Sequence, residues 1–414
     1  MFRILKPLVV SGVASIASAT DCGASGADFL VTEYPAANGT TFLAVGDINS
    51  DGYLDVVASH GFEAQIKIFY NNGNSGFHPG VDLLNGNPAG GSFNIKLVDL
   101  DSDGDLDILS GASWYKGIGG GEFASRSPLG IDASCSFFET GDFNGDGLLD
   151  LACVDSLWVQ SDSGFIEVSR YWEIDMPYQM ASGDLDGDGD LDLAIVDRGE
   201  SVVLLENDGE GHMAIRGQVT GITAHAVEVA DFDGDGLLDI ASASLSDYLS
   251  IYINKSNWQF GAEMRYPAGD GPRELAVGDI DNDGYLDIAI SNFYSDDISV
   301  FFGLENGLFD ADFRIVAGDE NRSVLLEDID RDQDDDILVA ALGGDSLVVI
   351  ESRCSEYCAA DLDGSGVLDL ADIGIFTDGF LSGASVADLA LPIGVLDLSD
   401  VGVFIASFLG GCEG

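Results

Sequence analysis

The chain has 414 residues, which predicts two or three domains on a rough prior of about 100–200 residues each. Hydrophobic residues make up 46%, which suits a packed core and is unlike a disordered chain. Asp and Glu number 73 against 16 Lys and Arg, and the formal charge of −57 disfavours nucleic acid and anionic lipid as partners. Adaptation to salt and binding of divalent cations are both open explanations of this charge.

The first 19 residues have the pattern of a secretory signal peptide. Arg3 and Lys6 form a short basic region, residues 8–16 are mainly apolar, and Ala17 and Ala19 fit a small-x-small cleavage site. We therefore expect export, with the mature protein secreted or at the cell surface. No later segment has 18 uninterrupted apolar residues, so no transmembrane helix is predicted.

An acidic segment recurs seven times between residues 20 and 353, as in LAVGDINSDGYLDVVAS (43–59) and LAVGDIDNDGYLDIAIS (275–291). Its first Asp recurs at steps of 52, 43, 42, 47, 48 and 49 residues, at Asp47, Asp99, Asp142, Asp184, Asp231, Asp279 and Asp328. Short runs of Val, Ile, Leu, Phe and Tyr flank each copy and are bounded by Gly, Asn and Asp, which are strand and hairpin signals. Four short strands at this period predict an all-β, seven-bladed β-propeller over residues 20–353.

The seventh copy is incomplete, because it reaches only a third strand, Ser346–Glu351, before Cys354. The segment Phe29–Tyr34 is similar to the fourth strand of other units, such as Glu263–Tyr266. We predict that this early segment completes the seventh blade, so that the two ends of the propeller share one blade. Closing the ring in this way would remove unpaired strand edges, which invite aggregation.

Six of the seven loops read Asp-x-[Asp/Asn]-x-Asp-Gly-x-x-Asp, which predicts a calcium site in each. Calcium takes roughly 6–8 oxygen ligands, and the side chains at positions 1, 3, 5 and 9 can supply them together with the carbonyl at position 7. Gly at position 6 allows the positive φ that a tight curl needs. The predicted ligands are Asp47, Asn49, Asp51, Tyr53 and Asp55; Asp99, Asp101, Asp103, Asp105 and Asp107; Asp142, Asn144, Asp146, Leu148 and Asp150; Asp184, Asp186, Asp188, Asp190 and Asp192; Asp231, Asp233, Asp235, Leu237 and Asp239; and Asp279, Asp281, Asp283, Tyr285 and Asp287.

An EF-hand shares the first half of this pattern, but it needs a Glu at position 12 and flanking helices. Position 12 is never acidic in these six loops, and the flanks are strand-like. Ordinary Asp-Gly turns with solvated carboxylates are the alternative, and six copies in register argue against it. Three or four carboxylates within about 5 Å repel each other without a cation, so we expect calcium to stabilise the fold.

The seventh loop departs from the pattern. It keeps the acids Asp328, Asp330, Asp332 and Asp336 but has Gln333 where the other loops have Gly. A non-Gly residue in a left-handed conformation costs about 1 kcal/mol or more. We therefore expect weak calcium binding in this loop, or none.

These repeats resemble the FG-GAP/VCBS family, which occurs in the propellers of integrin α-subunits and in many exported bacterial proteins. The resemblance covers about residues 28–352 and rests on the repeated nine-residue loop. It implies a propeller with calcium at the hairpins of one face. It also implies that a partner would bind the opposite face, which the inter-blade connectors and the loops between second and third strands form. We expect the propeller to be monomeric.

The composition changes after Arg353, where VLDLADIGIF and VLDLSDVGVF repeat at a step of 28 residues and carry apolar residues at helical spacing. The first copy predicts an EF-hand-like calcium loop with the ligands Asp361, Asp363, Ser365, the Val367 carbonyl, Asp369 and Asp372. The second copy keeps only Asp397 and Asp400 of this set, so a second calcium is doubtful.

This C-terminal segment resembles a dockerin, of the variety in planctomycete-type bacterial proteins that ends in Gly-Cys, here Gly411-Cys412. The resemblance implies a small helical domain over residues 354–414. It further implies that this domain binds a cohesin-like protein or a cell-envelope component. A helical cap without a partner is the alternative.

The six cysteines allow 15 pairings, and export makes disulfides possible. We expect the pairs Cys135–Cys153, Cys358–Cys412 and Cys22–Cys354, with some free, buried cysteines as the alternative. The sequence has no CxxC pair, which disfavours a zinc site or a thioredoxin-like redox function.

The face opposite the calcium loops contains the candidate ligand-binding residues His60, Arg198, His225, Tyr248, Arg273, Tyr294 and Arg322. Because the chain has so few basic residues, Arg and His on this face favour an acidic ligand such as a polysaccharide. The alternative for each residue is solvation or pairing with a neighbouring Asp.

Three functions are open from the sequence. The first is a non-catalytic binding or adhesion module. The second is a polysaccharide lyase or hydrolase on a propeller scaffold, since dockerins often accompany such enzymes, although the chain has neither GxSxG nor HExxH. The third is a purely structural matrix component.

Overall fold

The computed structural model describes residues 29–352, except 62–64, 74–75, 84–93, 132–134, 136, 172–173, 175–176, 198–200 and 221–222, and it also describes Ile373. The predicted signal peptide lies outside the described residues. So does the predicted dockerin-like domain apart from Ile373, including its calcium loop from Asp361 to Asp372. Arg198, Cys22, Cys354, Cys358 and Cys412 also lie outside them.

The described strands form seven four-stranded antiparallel sheets, one for each acidic repeat, which confirms the predicted seven-bladed β-propeller. The first described strand, β1 (Phe29–Pro35), belongs to the last blade. The first three blades contain β2 (Thr40–Gly46), β3 (Asp55–His60), β4 (Ile66–Phe69) and β5 (Val81–Asp82); β6 (Ile95–Val98), β7 (Asp107–Ser110), β8 (Ser113–Tyr115) and β9 (Ser127–Pro128); and β10 (Phe138–Gly141), β11 (Asp150–Cys153), β12 (Ser156–Val159) and β13 (Ile166–Arg170).

The remaining blades follow the same plan. The fourth, fifth and sixth contain β14 (Pro177–Gly183), β15 (Asp192–Asp197), β16 (Ser201–Asn207) and β17 (Met213–Thr220); β18 (Ala224–Ala230), β19 (Asp239–Ser244), β20 (Tyr248–Tyr252) and β21 (Met264–Pro267); and β22 (Pro272–Gly278), β23 (Asp287–Asn292), β24 (Asp297–Phe301) and β27 (Phe313–Val316), with a small hairpin of β25 (Gly303–Leu304) and β26 (Leu308–Phe309). The seventh contains β28 (Asn321–Glu327), β29 (Asp336–Ala341) and β30 (Ser346–Ser352).

The first strand of each repeat lies next to the propeller axis, because first strands of neighbouring blades contact each other, as β18 contacts β22 and β22 contacts β28. Each acidic loop follows the C-terminal end of such a strand. All the acidic loops therefore lie on one face of the ring. The starts of the first strands lie on the opposite face.

The second strand of a blade is deeply buried. Strands β3, β19, β23 and β29 are buried at every position. Such a strand has a paired strand on each side and a neighbouring blade over each face, so both of its faces need apolar or small side chains. This explains why the run after each acidic loop is continuously apolar or small instead of alternating.

The two ends of the propeller meet in the seventh blade. Strand β1 pairs antiparallel with β30, from Phe29 opposite Ser352 to Pro35 opposite Ser346. This confirms the predicted role of the segment Phe29–Tyr34. Backbone hydrogen bonds between the two ends close the ring and leave no open edge at the junction of the first and last repeats.

The hydrophobic core is divided among the interfaces between blades. One cluster joins Val57 and Ile68 of the first blade to Ile108 and Tyr115 of the second. Another joins Leu43 of the first blade to the seventh-blade strands β29 and β30. Each blade therefore depends on both neighbours for burial, so the complete circle is the stable unit.

A disulfide links Cys135, which precedes β10, to Cys153 at the end of β11, with a Cα–Cα distance of 5.2 Å. Within the part of the chain that the structure describes, no helix is long and apolar enough to cross a bilayer.

Candidate metal loops and axial pocket

Each acidic loop curls around the carboxylate of its first Asp. In the fourth loop, Asp184 Oδ1 accepts hydrogen bonds from the backbone N–H groups of Gly187 (2.7 Å) and Asp188 (3.1 Å). Asp184 Oδ2 accepts one from the N–H of Gly189 at 3.0 Å. The hydrogen bond from the backbone N–H at position 6 to the Asp carboxylate at position 1 occurs in all seven loops. Its donors are Gly52, Gly104, Gly147, Gly189, Gly236, Gly284 and Gln333.

The residue at position 6 has a left-handed conformation in every loop. Its φ lies between 86° for Gly147 and 100° for Gly189 in the six regular loops. Gln333 of the seventh loop adopts φ 82°, a conformation that glycine tolerates and glutamine does not favour. The seventh loop therefore keeps the shared fold at a local conformational cost.

The Asp at position 9 is buried in every loop and accepts hydrogen bonds at both of its oxygens. In the sixth loop, Asp287 Oδ2 accepts from the Ile280 N–H at 2.7 Å and Oδ1 accepts from the Gly303 N–H at 2.6 Å. Its counterparts are Asp55, Asp107, Asp150, Asp192, Asp239 and Asp336. This carboxylate therefore joins the loop to the end of the third strand of the same blade.

Burial shifts the ionisation of these position-9 carboxyls. It raises the pKa of Asp107 to about 6 and the pKa of Asp287 to about 8. Backbone N–H donors partly offset the rise, while the neighbouring loop acids add to it. A divalent cation in the loop would favour the ionised form instead.

In five loops, oxygens of three carboxylates lie within 4.8 Å of one another. These groups are Asp99, Asp101 and Asp107; Asp184, Asp186 and Asp192; Asp231, Asp233 and Asp239; Asp279, Asp281 and Asp287; and Asp328, Asp330 and Asp332. The first and third loops have Asn49 and Asn144 at position 3, whose side-chain oxygens accept from the N–H of the next loop Asp at 2.8 and 3.0 Å. Such sets of hard oxygen donors fit calcium, and these clusters could hold a metal ion.

The second loop contains a cation of its own. The Lys116 ammonium contacts Asp101 and lies 2.8 Å from Asp103. These contacts raise the pKa of Lys116, and the hydrogen bond from Lys116 lowers the pKa of Asp103. A metal ion in this loop would compete with the ammonium for the same oxygens.

A side chain at or just after the end of a third strand also reaches the preceding blade. Asn207 Nδ2 donates to the Phe143 carbonyl at 2.8 Å, and Asn254 Nδ2 donates to the Leu185 carbonyl at 2.9 Å. Equivalent bonds run from Asn71 to Ile329, from Gln160 to Leu100 and from Ser352 to Ile280. Because each acceptor is the second residue of an acidic loop, these bonds attach a loop to the next blade.

A small pocket, with room for about one water molecule, lies at the other end of the same first strands. Six of the seven blades contribute to it. The residues that line it are Phe42, Phe137, Tyr178, Gln179, His225, Arg273, Glu274 and Arg322. The pocket thus lies at the propeller axis, on the face opposite the acidic loops, and we call it the axial pocket.

Ring and cation contacts connect the wall of the axial pocket. The ring centroids of Phe42 and Phe137 are 5.4 Å apart, those of Phe137 and Tyr178 are 4.9 Å apart, and those of Tyr178 and His225 are 4.7 Å apart. The Arg322 guanidinium carbon lies 5.6 Å from the Phe42 ring centroid. Four blades and one strand connector are thereby packed around one small opening.

His225 orients Arg273. Arg273 Nη1 lies 3.0 Å from His225 Nε2, and His225 Nδ1 lies 2.8 Å from the Arg273 carbonyl oxygen. A guanidinium can only donate and a carbonyl can only accept, so these partners require a neutral imidazole that carries its proton on Nδ1. The Arg273 guanidinium also lies over the Phe293 ring, 4.7 Å from its centroid.

β-Bulges at the starts of the first strands position the polar side chains. His225 is the extra residue between the paired residues Ala224 and Ala226 of β18. Arg273 occupies the same place in β22, and Arg322 occupies it in β28. A bulge leaves one residue unpaired and redirects its side chain, which is why bulges are common beside functional sites.

Two glutamates on the first strands of their blades carry shifted pKa values. Burial raises the pKa of Glu274 to about 7, against the effects of a Ser323 hydrogen bond and of Arg322. Burial and the charge of Glu139 raise the pKa of Glu228, on β18, to about 8. Both side chains keep some accessible surface. The negative charge of Glu274, which lines the axial pocket, is therefore reduced near neutral pH.

The axial pocket contains some of the ligand-binding residues predicted from the sequence. His225, Arg273 and Arg322 line it, and Tyr294 lies beside it with its ring centroid 5.8 Å from the Arg273 guanidinium carbon. His60 is buried on β3, where its Nδ1 lies 3.2 Å from Thr40 Oγ1, and it does not line the pocket. Tyr248, on β20, has Arg265 over its ring at 4.4 Å and is also outside it.

The sequence reasoning missed Phe42, Phe137, Tyr178, Gln179 and Glu274. A register signal was available, because Tyr178, His225, Arg273 and Arg322 each precede the first Asp of their acidic loop by six residues. Comparison of this position across the repeats would have grouped Tyr178 with the three basic residues. The contributions of Phe42 and Phe137 depend on how the blades meet.

The fold and the loops define this chain as a seven-bladed β-propeller built from acidic-loop repeats. The family described as FG-GAP-like repeat matches residues 47–110, 184–242 and 231–290, so the chain contains FG-GAP repeats. No curated protein sequence matches the chain significantly.

Solved structures share the architecture. The "Crystal structure of BBS1N in complex with ARL6DN, soaked with lead" matches with a TM-score of 0.53 and 11% identity, over 77% of this chain and 94% of that chain. The same complex soaked with mercury matches with a TM-score of 0.53 and 11% identity, over 77% of this chain and 93% of that chain. At this identity the likeness concerns the fold alone.

Proposed function

We propose that this chain is an exported, calcium-loaded β-propeller that acts as a non-catalytic binding or adhesion module. The observation that carries the proposal is the recurrence of one oxygen-rich loop in every blade, on one face, while the axial pocket on the other face does not repeat. A repeated feature suits support of the fold. A single, chemically distinct opening suits recognition.

Calcium would occupy the acidic loops through the ligands predicted from the sequence. The side chains at positions 1, 3 and 9 are already gathered in most loops, and backbone N–H groups hold them in place. In water-filled loops the clustered carboxylates repel one another, and a divalent ion would remove that repulsion. Calcium binding would therefore stabilise the folded chain.

The C-terminal segment would attach the propeller to another structure. In this proposal, residues 1–19 direct export, residues 20–353 form the propeller and residues 354–414 form a one-calcium dockerin-like domain. That domain would bind a cohesin-like protein or a cell-envelope component. The support is the Asp361–Asp372 loop and the two copies of the VLDL motif.

Elemental analysis of the purified full chain, combined with thermal melting, tests the calcium part of the proposal. We expect several calcium ions per chain and a large loss of melting temperature after chelation and dialysis. Magnesium at the same concentration is the control, because it prefers a smaller octahedral site and should restore little. A chain that contains no calcium and melts unchanged in chelator would contradict it.

An array of acidic and neutral glycans, followed by analysis of any released products, tests the proposed binding function. Retention of a glycan without release of products supports a binding module. Release of shortened or unsaturated sugars would support the alternative of a lyase or hydrolase.

A double variant of the full chain, Asp361→Ala with Asp369→Ala, tests the tail. We expect loss of attachment to the producing cells with an unchanged propeller melt. Attachment that persists in this variant would argue for a C-terminal cap without a partner.

A further inference from the structure

The second acidic loop has a positively charged side chain at its carboxylates. We infer that the Lys116 ammonium is a built-in counter-ion of this loop, so that the loop folds without calcium and binds calcium more weakly than the other five regular loops. This inference rests on the proposed calcium function and distinguishes one site from the rest.

Lys116 contacts two of the predicted calcium ligands at once. Its ammonium donates to Asp101 Oδ2 at position 3, and it lies 2.8 Å from Asp103 Oδ2 at position 5. In the first, third, fourth and fifth loops, the side-chain oxygen at position 3 accepts from the backbone N–H at position 5. The second loop therefore directs its position-3 carboxylate toward a lysine.

The backbone holds Lys116 beside the loop. The N–H of the next residue, Gly117, donates to Asp107 Oδ1 at 2.7 Å. The Lys116 carbonyl accepts from the Ala124 N–H at 2.8 Å. A side chain at Gly117 would meet the Leu106 carbonyl oxygen at 2.5 Å, so the chain passes directly against the loop here. An ammonium displaced from the carboxylates would therefore stay tethered close to them.

The fourth loop offers a direct comparison, because both loops have Asp at positions 1, 3, 5, 7 and 9. The residue before the backbone donor to the position-9 Asp is Lys116 in the second blade and Glu206 in the fourth. In the other blades this residue is Tyr70, Val159, Ile253, Phe302 or Glu351. Only the second loop therefore has a lysine at this place in the repeat.

Electrostatics sets the direction and the size of the effect. Clustered carboxylates repel each other, and the ammonium supplies a positive charge that reduces this repulsion. The lysine would have to leave both carboxylates before calcium could bind, and its tethered charge would then repel the ion. The side chains of Lys116, Asp101 and Asp103 are 36%, 32% and 34% exposed, so water and salt screen these interactions. We therefore expect calcium binding to be weakened about tenfold.

Equilibrium dialysis of the full chain against radioactive calcium tests the inference, because it counts bound ions at each free calcium concentration. Lys116→Met removes the charge and keeps an unbranched side chain. At intermediate calcium this variant should hold one more ion than the native chain, because the second loop should fill at about tenfold lower calcium. Lys116→Arg should match the native chain, since it keeps the charge.

Two further variants locate the additional ion. Adding Asp103→Ala to Lys116→Met should remove that ion, which would place it in the second loop. Lys255→Met is the matched control, because the Lys255 ammonium lies 3.9 Å from Asp233 of the fifth loop and is 56% exposed. It should change calcium binding by less than about twofold.

Thermal melting separates a counter-ion from an ordinary packing contact. In chelator, Lys116→Met should melt about 2 °C below the native chain, because the second-loop carboxylates lose a neutralising charge. In saturating calcium the two chains should melt together, because calcium would neutralise the same carboxylates. An equal loss in both conditions would assign Lys116 a packing role and overturn the inference.

The outcomes for the inference and for the proposed function are distinguishable. Equal numbers of bound calcium ions in the native chain and in Lys116→Met at every concentration would overturn the inference and leave the calcium function intact. A native chain that binds no calcium at all would overturn the proposed function, and the inference would fail with it.

Discussion

The two faces of this propeller use charged side chains in opposite ways. On the loop face, Asp residues recur in register through seven blades, and their carboxylates accept backbone N–H groups or gather in groups of three. On the other face, three basic side chains of three different blades meet once, at the axis. The loop face consists of seven copies of one loop that forms within a single repeat, whereas the axial pocket exists only in the assembled ring.

This difference separates residues that stabilise the fold from residues available for recognition. Asp287 contacts its own loop and the end of its own third strand, so every blade can carry such a residue for the same reason. Arg273 and Arg322 share their position in the repeat with His225, whereas the first and fourth blades have Thr41 and Tyr178 there. A substitution on the loop face should therefore change stability first, and a substitution in the pocket should change binding first.

Chelation should give the largest effect and would test the comparison as a whole. We expect the native chain to lose roughly 10 °C or more of melting temperature when calcium is removed, because several bound ions each add a few kcal/mol. The double variant Arg273→Gln with Arg322→Gln should melt within about 2 °C of the native chain in calcium. Calorimetry measures both melting temperatures. A larger shift from the pocket variant than from chelation would show that the pocket residues, and not the acidic loops, stabilise the fold.

Asp287→Ala should give the next largest effect. It leaves the buried N–H groups of Ile280 and Gly303 without acceptors, which we expect to cost about 3 kcal/mol in chelator and more in calcium, because Asp287 is also a predicted calcium ligand. Asp283→Ala removes an exposed loop carboxylate and should destabilise only the calcium-loaded chain.

Chemical denaturation in calcium and in chelator compares these two variants, with exposed Asp162→Ala as the control. Equal losses from Asp283→Ala in both conditions would show that calcium does not use that residue.

Gln333→Gly should stabilise the seventh loop by about 1 kcal/mol, because it relieves the left-handed conformation at φ 82°. The gain should be larger in calcium, since the relaxed loop would bind the ion better. Thermal melting with a calcium series measures it. A loss of stability would mean that the glutamine side chain makes a stabilising contact that outweighs the strain.

Glu228→Gln should have the smallest effect and depends on pH. Burial raises the folded pKa of Glu228 to about 8, above its unfolded value, so its contribution to stability is fully present below about pH 4.5 and is lost as pH rises through 8. The variant should be more stable than the native chain above pH 8, by about 1 kcal/mol after allowance for the partial exposure of Glu228 to solvent, and equal near pH 5.

The charged groups that act on Glu228 are Lys96, Glu139 and Glu274, and they are unchanged in this variant. Melting curves from pH 5 to 9 check the expectation, with exposed Glu210→Gln as the control. An equal effect at both ends of that range would show that ionisation of Glu228 is not the cause.

The architecture was largely predictable from local features. The position-6 glycines and the acids around them indicated tight loops, and those glycines do adopt positive φ. The segment from Phe29 could be placed in the last blade because its pattern matched a fourth strand and the seventh repeat lacked one. The structural role of the position-9 Asp was not predictable, since its partners include residues up to 16 positions further along the chain.

The axial pocket was predictable only in part. His225, Arg273 and Arg322 could be nominated as unusual basic residues in the connectors. Their convergence with Phe42 and Phe137 could not, because it depends on bulges and on the closed ring.

The amino-acid sequence by itself determined the number of blades, the position of each acidic loop and the segment that closes the ring. These features depend on contacts between residues that are close in the sequence, so the repeat period and the loop pattern predict them. Only the tertiary structure decided which side chains share the axis, because residues more than 200 positions apart meet there. Their proximity follows from closing seven blades into a circle, and no local pattern encodes that distance.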